Sequence, residues 1–231
     1  NVINMKLSTI EIPNTAYVFD EICNTNSFEI KIGSDIYKID VPSGNYDAES
    51  IVHAIQEHTN WPAVMVITYD TDRNKIKISS DKYFSIIFPE NKHKLKSGKM
   101  CYNLGWIFGY RNMVYKGGKS YEGEGCFDTT GSRYYLLVLE DFQKNSENFY
   151  INGSLEESSL VKANVLGRIS LSNVKQSIGF DENNNSIPKK RTYFGPITLE
   201  KIEFRILDEY GNDVKLNNMD YSFTLELECL Y

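Results

Sequence analysis

The sequence predicts a mainly β protein, a jelly-roll-like antiparallel β-sandwich with one short helix at about residues 47–58. Alanine is scarce, whereas isoleucine, tyrosine, phenylalanine, valine and threonine are frequent, a composition that favours strands. Apolar and polar residues alternate from Ile202 to Ile206 and again from Phe223 to Cys229. We interpret these runs as a hairpin that turns at Gly211-Asn212. An isolated hairpin is marginal in water, so its apolar faces require a second sheet.

The other elements are predicted along the chain. Alternation indicates an opening strand over Met5–Pro13 and a hairpin from Phe28 to Val41, with its turn at Gly33-Ser34-Asp35. Asp47 is placed to cap the single predicted helix, which runs from Ala48 to about His58. Further strands are predicted around residues 64–67, 76–78, 84–88, 134–139 and 165–171.

Two apolar segments are expected to be buried. Tyr134–Leu139 is apolar at both parities, as expected for a central strand with both faces covered, and Leu104–Tyr110 is an apolar block between glycines. Three polar or glycine-rich segments are expected to be surface loops that carry contacts: Lys116–Gly131, Gln143–Lys162 and Val174–Arg191. Without a repeat or a linker, residues 1–231 are expected to form a single β-sandwich domain. Because the chain opens on Asn1, we expect it to be processed or part of a longer chain.

Charge and cysteine content narrow the class of protein. The net charge of −6 and the pI near 5.2 argue against nucleic acid or an anionic membrane as partner. No apolar run approaches the ~18–20 residues of a membrane span, and the first residues do not show the pattern of a signal peptide. The sequon Asn152-Gly153-Ser154 is of a kind that occurs by chance. Four widely spaced cysteines without a C-x-x-C pair are expected to be free thiols in a reducing compartment: Cys23, Cys101, Cys126 and Cys229.

Two segments match ligand-binding motifs only in part. Gly118-Lys119-Ser120 resembles the end of a phosphate-binding loop, but Met113 stands where the motif needs glycine, and a flexible loop is expected. Asp70-x-Asp72-x-Asn74 resembles the front half of a calcium loop. Lys75 replaces the required glycine, and Asp81 stands where a bidentate glutamate is needed. We expect a hairpin turn whose carboxylates cap their own backbone.

The remaining candidate residues form no catalytic or metal-binding constellation. His53 and His58 share the helix but are five residues apart, and His93 stands alone. Gly131-Ser132 lacks the trailing glycine of a nucleophile elbow. Glu140-Asp141 is expected to be an exposed strand end, because adjacent strand residues face opposite ways. We therefore predict no catalytic, cofactor-binding or metal-binding residues, and we expect solvated loops at the two basic segments, His93–Lys99 and Lys189–Arg191.

The C-terminal block YFGPITLEKIEFRILDEYGNDVKLNNMDYSFTLELE resembles the closing strands of capsid-associated structural proteins of nucleocytoplasmic large DNA viruses, the giant viruses. These are minor capsid or penton-type jelly rolls. The segment IDVPSGNYDAESIVHAI resembles the strand, turn and helix of the same proteins, and MKLSTIEIPNTAYVF and LGWIFGY are similar to segments of theirs. The resemblance covers about half of the chain and does not extend to Lys116–Arg191.

The resemblance implies a virion building block without catalytic residues or cofactors. Such a protein acts through contacts with other capsid proteins and with copies of itself, binds no nucleic acid, and is assembled into virions in the host cytoplasm. Its sixteen tyrosines would serve partly as core residues and partly as contact residues. The alternative is a β-sandwich module on the virion surface that binds a glycan or a receptor, and an enzyme is the third possibility.

Overall fold

The computed structural model describes residues 1–90, 102–142, 148–153, 158–171, 177–182 and 190–230. In this part of the chain there are two compact units, one made of residues 1–16 and those from 132 onward, the other of residues 17–90 and 102–131. Within each unit the strands pair in an antiparallel manner, so the predicted mainly β class is confirmed. The single domain over residues 1–231 stays a prediction.

Fourteen strands and two helices lie in the described residues. In chain order they are β1 Val2–Pro13, β2 Ser27–Ile32, β3 Asp35–Asp40, α1 Ala48–Gln56, β4 Met65–Asp70, β5 Lys75–Ile87, α2 Leu104–Ile107, β6 Val114–Glu122, β7 Tyr134–Glu140, β8 Asn148–Gly153, β9 Ser158–Ala163, β10 Val165–Ser170, β11 Ile178–Glu182, β12 Lys190–Ile197, β13 Glu203–Leu207 and β14 Ser222–Cys229.

The first unit is a sandwich of two antiparallel sheets. In one sheet β14 pairs with one edge of β1, and β11 and β12 share its other edge. In the other sheet β7 lies between β10 and β13. Side chains from both sheets form one buried cluster, in which Met5 and Ile10 of β1 meet Leu137 and Leu139 of β7. Burial of these side chains, at ~25 cal/mol per Å² of apolar surface, holds the sheets together. The two-stranded hairpin β8–β9 also belongs to this unit.

Tyr134–Leu139 is the buried central strand that the sequence predicts. All six residues are buried, and alternate side chains enter different clusters, Leu137 one and Leu136 the other. Residues of a strand point alternately to its two faces, so this pattern requires both faces of β7 to be covered.

The predicted C-terminal hairpin is wrong, although both of its strands form. β13 pairs with β7 in one sheet, whereas β14 pairs with β1 in the other. After Gly211, which has a φ of 88°, the chain does return along β13, where Val214 donates to the Ile206 carbonyl at 2.9 Å. It then crosses to the facing sheet. Two amphipathic strands can bury their apolar rows against each other across a sandwich as well as beside each other, and alternation does not distinguish the two arrangements.

The three segments predicted to be loops contain strands. β6 occupies much of Lys116–Gly131, the β8–β9 hairpin lies in Gln143–Lys162, and β11 and part of β12 lie in Val174–Arg191. β6 is mostly exposed and includes Gly117 at a φ of 75°, so it lacks an apolar row. Its pairing with β5 satisfies its backbone amide and carbonyl groups. Polar residues and glycine form such backbone hydrogen bonds as readily as apolar residues do.

The second unit is an antiparallel sheet covered by a helix. β2 and β4 share one edge of the long strand β5, β6 pairs with its other edge, and β3 extends β2. The strands predicted at residues 76–78 and 84–88 are therefore one strand through residue 87. Ile51 and Ile55 of α1 join the buried cluster of this sheet. Asp47 caps α1 through a 2.8 Å hydrogen bond from the Ser50 amide, as predicted.

A second helix, α2, was not predicted because it has only four residues. It lies in the apolar block Leu104–Tyr110, most of which is buried as expected. Asn103 caps it through a 3.0 Å hydrogen bond from the Trp106 amide. A Cβ atom on Gly105 would lie 2.6 Å from the Phe88 ring, so the close packing of this turn requires glycine.

Candidate functional site: a buried polar cluster and an open sandwich edge

A buried polar cluster joins the two sheets of the first unit. Asp141 directly follows β7, whereas Arg191 and Tyr193 lie on β12 in the facing sheet. Arg191 Nη1 and the Tyr193 hydroxyl both donate to Asp141 Oδ2, each at 2.6 Å. Arg191 Nη2 donates to the carbonyl oxygens of Leu139 and Asn164, at 3.0 and 3.3 Å. One guanidinium thus bonds to a carboxylate and to the backbone at the end of β7.

This buried cluster has a structural role, because it holds the two sheets together. The side chain of Asp141 is 0% exposed and that of Arg191 is 7% exposed, so bulk solvent and substrates do not reach the ion pair. Burial, followed by the hydrogen bond to Asp141, raises the pKa of Tyr193 above its usual value and keeps the hydroxyl a neutral donor. The groups hold the sheets together and have no open position at which to carry out chemistry.

Two sequence predictions are wrong at this cluster. Glu140-Asp141 was expected to be an exposed strand end, but Asp141 is buried. Glu140 is half-buried, and its two carboxylate oxygens accept 2.8 Å hydrogen bonds from the side-chain amide of Asn164. Arg191 was expected in a solvated loop, but it is buried on β12, while Lys189 lies outside the described residues. Asp141 and Arg191 are fifty residues apart in sequence, and no local pattern predicts their pairing.

A second polar cluster stabilises the chain between α2 and β6 in the other unit. The Tyr115 hydroxyl donates to both carboxylate oxygens of Glu124, at 2.8 and 2.7 Å, and the Arg111 amide donates to Glu124 Oε2 at 3.0 Å. Burial acts to raise the pKa of Glu124, but these hydrogen bonds outweigh it and lower the pKa below its usual value. The Arg111 guanidinium lies 3.9 Å over the Trp106 ring, where it makes a cation–π contact.

The partial calcium motif forms the expected hairpin turn between β4 and β5. Asp70 Oδ1 accepts hydrogen bonds from the amides of Asp72 and Arg73, at 3.0 and 3.1 Å, and Asn74 adopts a φ of 52°. The carboxylate of Asp70 therefore caps its own turn. Asp81 lies further along β5, beyond this turn.

The partial phosphate-binding motif lies in a strand. Gly118-Lys119-Ser120 belongs to β6, and another stretch of that strand follows it instead of a helix, so the predicted loop is wrong at this point. His58 Nε2 lies 3.8 Å from Asp40 Oδ1, and His53 is exposed on α1. Gly131-Ser132 precedes β7 outside any element. His93–Lys99 and Cys101 lie outside the described residues.

Within the described residues, no three or more His, Cys, Asp or Glu side chains are grouped so as to hold a metal ion. No helix in the same ranges combines the length and the apolar character that crossing a membrane requires. Cys126 and Cys229 are exposed free thiols.

Apolar side chains are exposed along one side of the sandwich, where β13 and β14 are the outermost strands. Phe204 and Phe223 pack with ring centroids 4.7 Å apart, and Tyr221 stacks on Phe223 at 6.3 Å. Phe204 and Tyr221 remain 36% and 42% exposed. On the outer face of β12, Phe194 is 94% exposed. Exposed aromatic side chains are typical of protein contacts, so the Phe204–Tyr221 group and, separately, Phe194 are candidate contact residues of the first unit.

A solved structure of a viral protein is similar to this chain. The crystal structure of selenomethionine-labelled mavirus penton protein matches with a TM-score of 0.47 and 11% sequence identity, over 99% of this chain and 86% of that chain. No family model matches the sequence, and no curated protein matches it.

Proposed function

We propose that the protein is a structural protein of a virus, a jelly-roll-like building block in the capsid of a large icosahedral DNA virus. Its place would be that of a minor capsid or penton-type protein. It acts through contacts with other capsid proteins and with copies of itself, not as an enzyme and not on nucleic acid. Its location is the virion, which is assembled in the host cytoplasm.

One observation carries this proposal: the block that resembles capsid-associated proteins, residues 193–228, contributes strands to both sheets of the sandwich and also carries exposed apolar side chains. It contributes most of β12, all of β13 and most of β14, so it reaches both sheets. It also carries exposed apolar side chains, namely Phe194, Phe204, Met219, Tyr221 and Leu227. A building block needs this combination, because a rigid frame lowers the entropy cost of presenting contact residues.

The buried ion pair supports the same role. Asp141 and Arg191 fix the two sheets relative to each other, so the sandwich presents a constant surface to its neighbours. The negative net charge supports the exclusion of nucleic acid, since phosphate recognition requires a basic surface.

The test is the presence of the protein in purified virus particles, measured by mass spectrometry and by cross-linking to neighbouring capsid proteins. Phe194→Ser is expected to reduce incorporation several-fold and to leave the unfolding midpoint unchanged, because this side chain is 94% exposed. The matched control is Tyr83→Ser, at a 67% exposed tyrosine of the other unit. Absence of the chain from purified particles contradicts the proposal. A dose-dependent hit on a glycan array would favour the glycan-binding alternative.

A further inference from the structure

β14 has a long outer edge that the described residues leave unpaired. It pairs with β1 over Val2–Glu11 on one side only, and it contains no proline. Apolar side chains on and next to it are exposed: Leu227 is 44% exposed and Leu230 is 51% exposed. The unpaired backbone groups of such an edge favour pairing with another strand.

Neighbouring edges of the sandwich are protected in ways that β14 is not. The outer edge of β13 is covered where the chain returns, through the bridge from Leu207 to Asp213 and the Val214–Ile206 hydrogen bond. β12 contains Pro196 next to its last residue, and proline has no amide hydrogen to donate. Natural sheets use coverings and prolines of this kind to prevent pairing between edges. This contrast indicates that the open edge of β14 pairs with a strand of another molecule.

The residues of β14 are complementary to themselves in one antiparallel register. With Leu225 opposite its own copy, Thr224 faces Glu226 and Ser222 faces Glu228, so that each carboxylate meets a hydroxyl donor. On the other face of the strand, Phe223 meets Leu227. Cross-strand pairs of this kind each stabilise a sheet by ~0.2–1 kcal/mol.

The adjacent registers are less favourable. A shift that centres the pairing on Glu226 places the two Glu226 carboxylates opposite each other, and a shift that centres it on Thr224 places Glu228 opposite Asp220. A slip by a single residue opposes Leu225 to Glu226 or to Thr224 and reverses the faces. Of the three registers that keep the faces, only the one centred on Leu225 avoids opposed carboxylates.

We propose that two copies of this chain associate about a two-fold axis through antiparallel pairing of β14, with Leu225 on the axis. The inference rests on the proposed function, because it names one contact that a capsid building block makes with a copy of itself. The chain also offsets part of its own negative charge at this edge: Lys6 lies 3.7 Å from Glu226, and Asn4 donates to Glu228. The contact is isologous, so every residue pair occurs twice.

The first test measures the mass of the full chain by light scattering over a range of concentrations. The chain is expected to shift from 26.6 kDa towards twice that mass. Thr224→Glu places a carboxylate opposite Glu226 of the copy and should raise the dissociation constant about fivefold, whereas Thr224→Lys should lower it by a similar factor. Thr192→Glu, at an exposed position of β12 in the same sheet, is the matched control and should change nothing.

The second test determines the register by disulfide formation. In a background of Cys126→Ser and Cys229→Ser, Leu225→Cys is expected to form a disulfide between copies, because residues directly opposite have Cβ atoms ~4.5–5.5 Å apart and a disulfide needs only a small further approach. Leu227→Cys, which faces Phe223 of the copy, is the control and should not. Circular dichroism establishes that each variant is folded.

The outcomes separate this inference from the proposed function. A folded chain that stays monomeric at every concentration overturns the strand pairing. So does a dimer that responds equally to Thr224→Glu and Thr224→Lys, or one that forms the disulfide through position 227 and not 225. None of these results removes the protein from virus particles. Conversely, a disulfide-linked dimer through position 225 supports the pairing even where particle analysis contradicts the capsid role.

Discussion

Replacement of Arg191 by methionine is expected to destabilise the first unit strongly. The substitution keeps most of the side-chain volume and removes the charge that faces Asp141. That carboxylate is fully buried and would lose its guanidinium partner, while the Tyr193 hydroxyl still donates to it. Removal of one partner of a buried ion pair costs about 3–5 kcal/mol, because the remaining charge stays desolvated without compensation.

The magnitude follows from the contacts that are lost. Arg191 donates one short hydrogen bond to a carboxylate and two to backbone carbonyl oxygens. A hydrogen bond that involves a charged group contributes about 1.5–3 kcal/mol and a neutral one about 0.5–1.5 kcal/mol. A loss of about 3–5 kcal/mol is a large part of the 5–15 kcal/mol that is typical of folded domains. The control is Arg205→Met, at an exposed arginine of β13, which should cost less than about 0.5 kcal/mol.

The assay is urea unfolding followed by two probes. Far-UV circular dichroism reports on the strands of both units, whereas the two tryptophans, Trp61 and Trp106, lie in the second unit only. If residues 1–231 behave as a single domain, Arg191→Met shifts both transitions together. The double variant Arg191→Met with Asp141→Leu should be more stable than Arg191→Met alone, because no ion is then left unpaired. A cost below about 1 kcal/mol for Arg191→Met, or strict additivity in the double variant, would refute the reasoning.

Three further predictions concern single residues, each measured as a free energy of unfolding. Gly109→Ala should cost at least about 2 kcal/mol, because the φ of Gly109 is 87° and a Cβ would lie 2.4 Å from a backbone oxygen. The control is Gly117→Ala, which should cost less, because Gly117 has a similar φ of 75° but open space around it. Tyr193→Phe should cost about 1–2 kcal/mol through the lost hydrogen bond, and no change would contradict this. Burial raises the pKa of Asp208 above 3.8, so the folded state binds the proton more tightly. The stability of wild type relative to Asp208→Asn should therefore be greatest below the unfolded pKa and decline as the pH rises through the folded pKa; a rise would contradict it.

Local patterns in the sequence are sufficient for the elements that satisfy their own backbone. The alternation in Met5–Pro13 predicts β1, and Asp47 followed by Ser50 marks the start of α1. The turn at Asp70 closes through hydrogen bonds between residues two and three apart. In each of these cases the interactions that define the structure lie within a few residues, so the sequence carries the signal without knowledge of the fold.

The pairing of β13 and β14 and the burial of Arg191 depend on contacts between residues that are distant in the sequence. Alternation in β13 and β14 predicts two strands but not that they join opposite sheets, because each apolar row can be buried by any facing row. Arg191 appears as part of a basic segment in the sequence and is a buried ion-pair partner in the fold, since only the sandwich places β12 over the end of β7. The charge, polarity and alternation of a segment are local properties, whereas burial and pairing depend on which segment the chain folds against it.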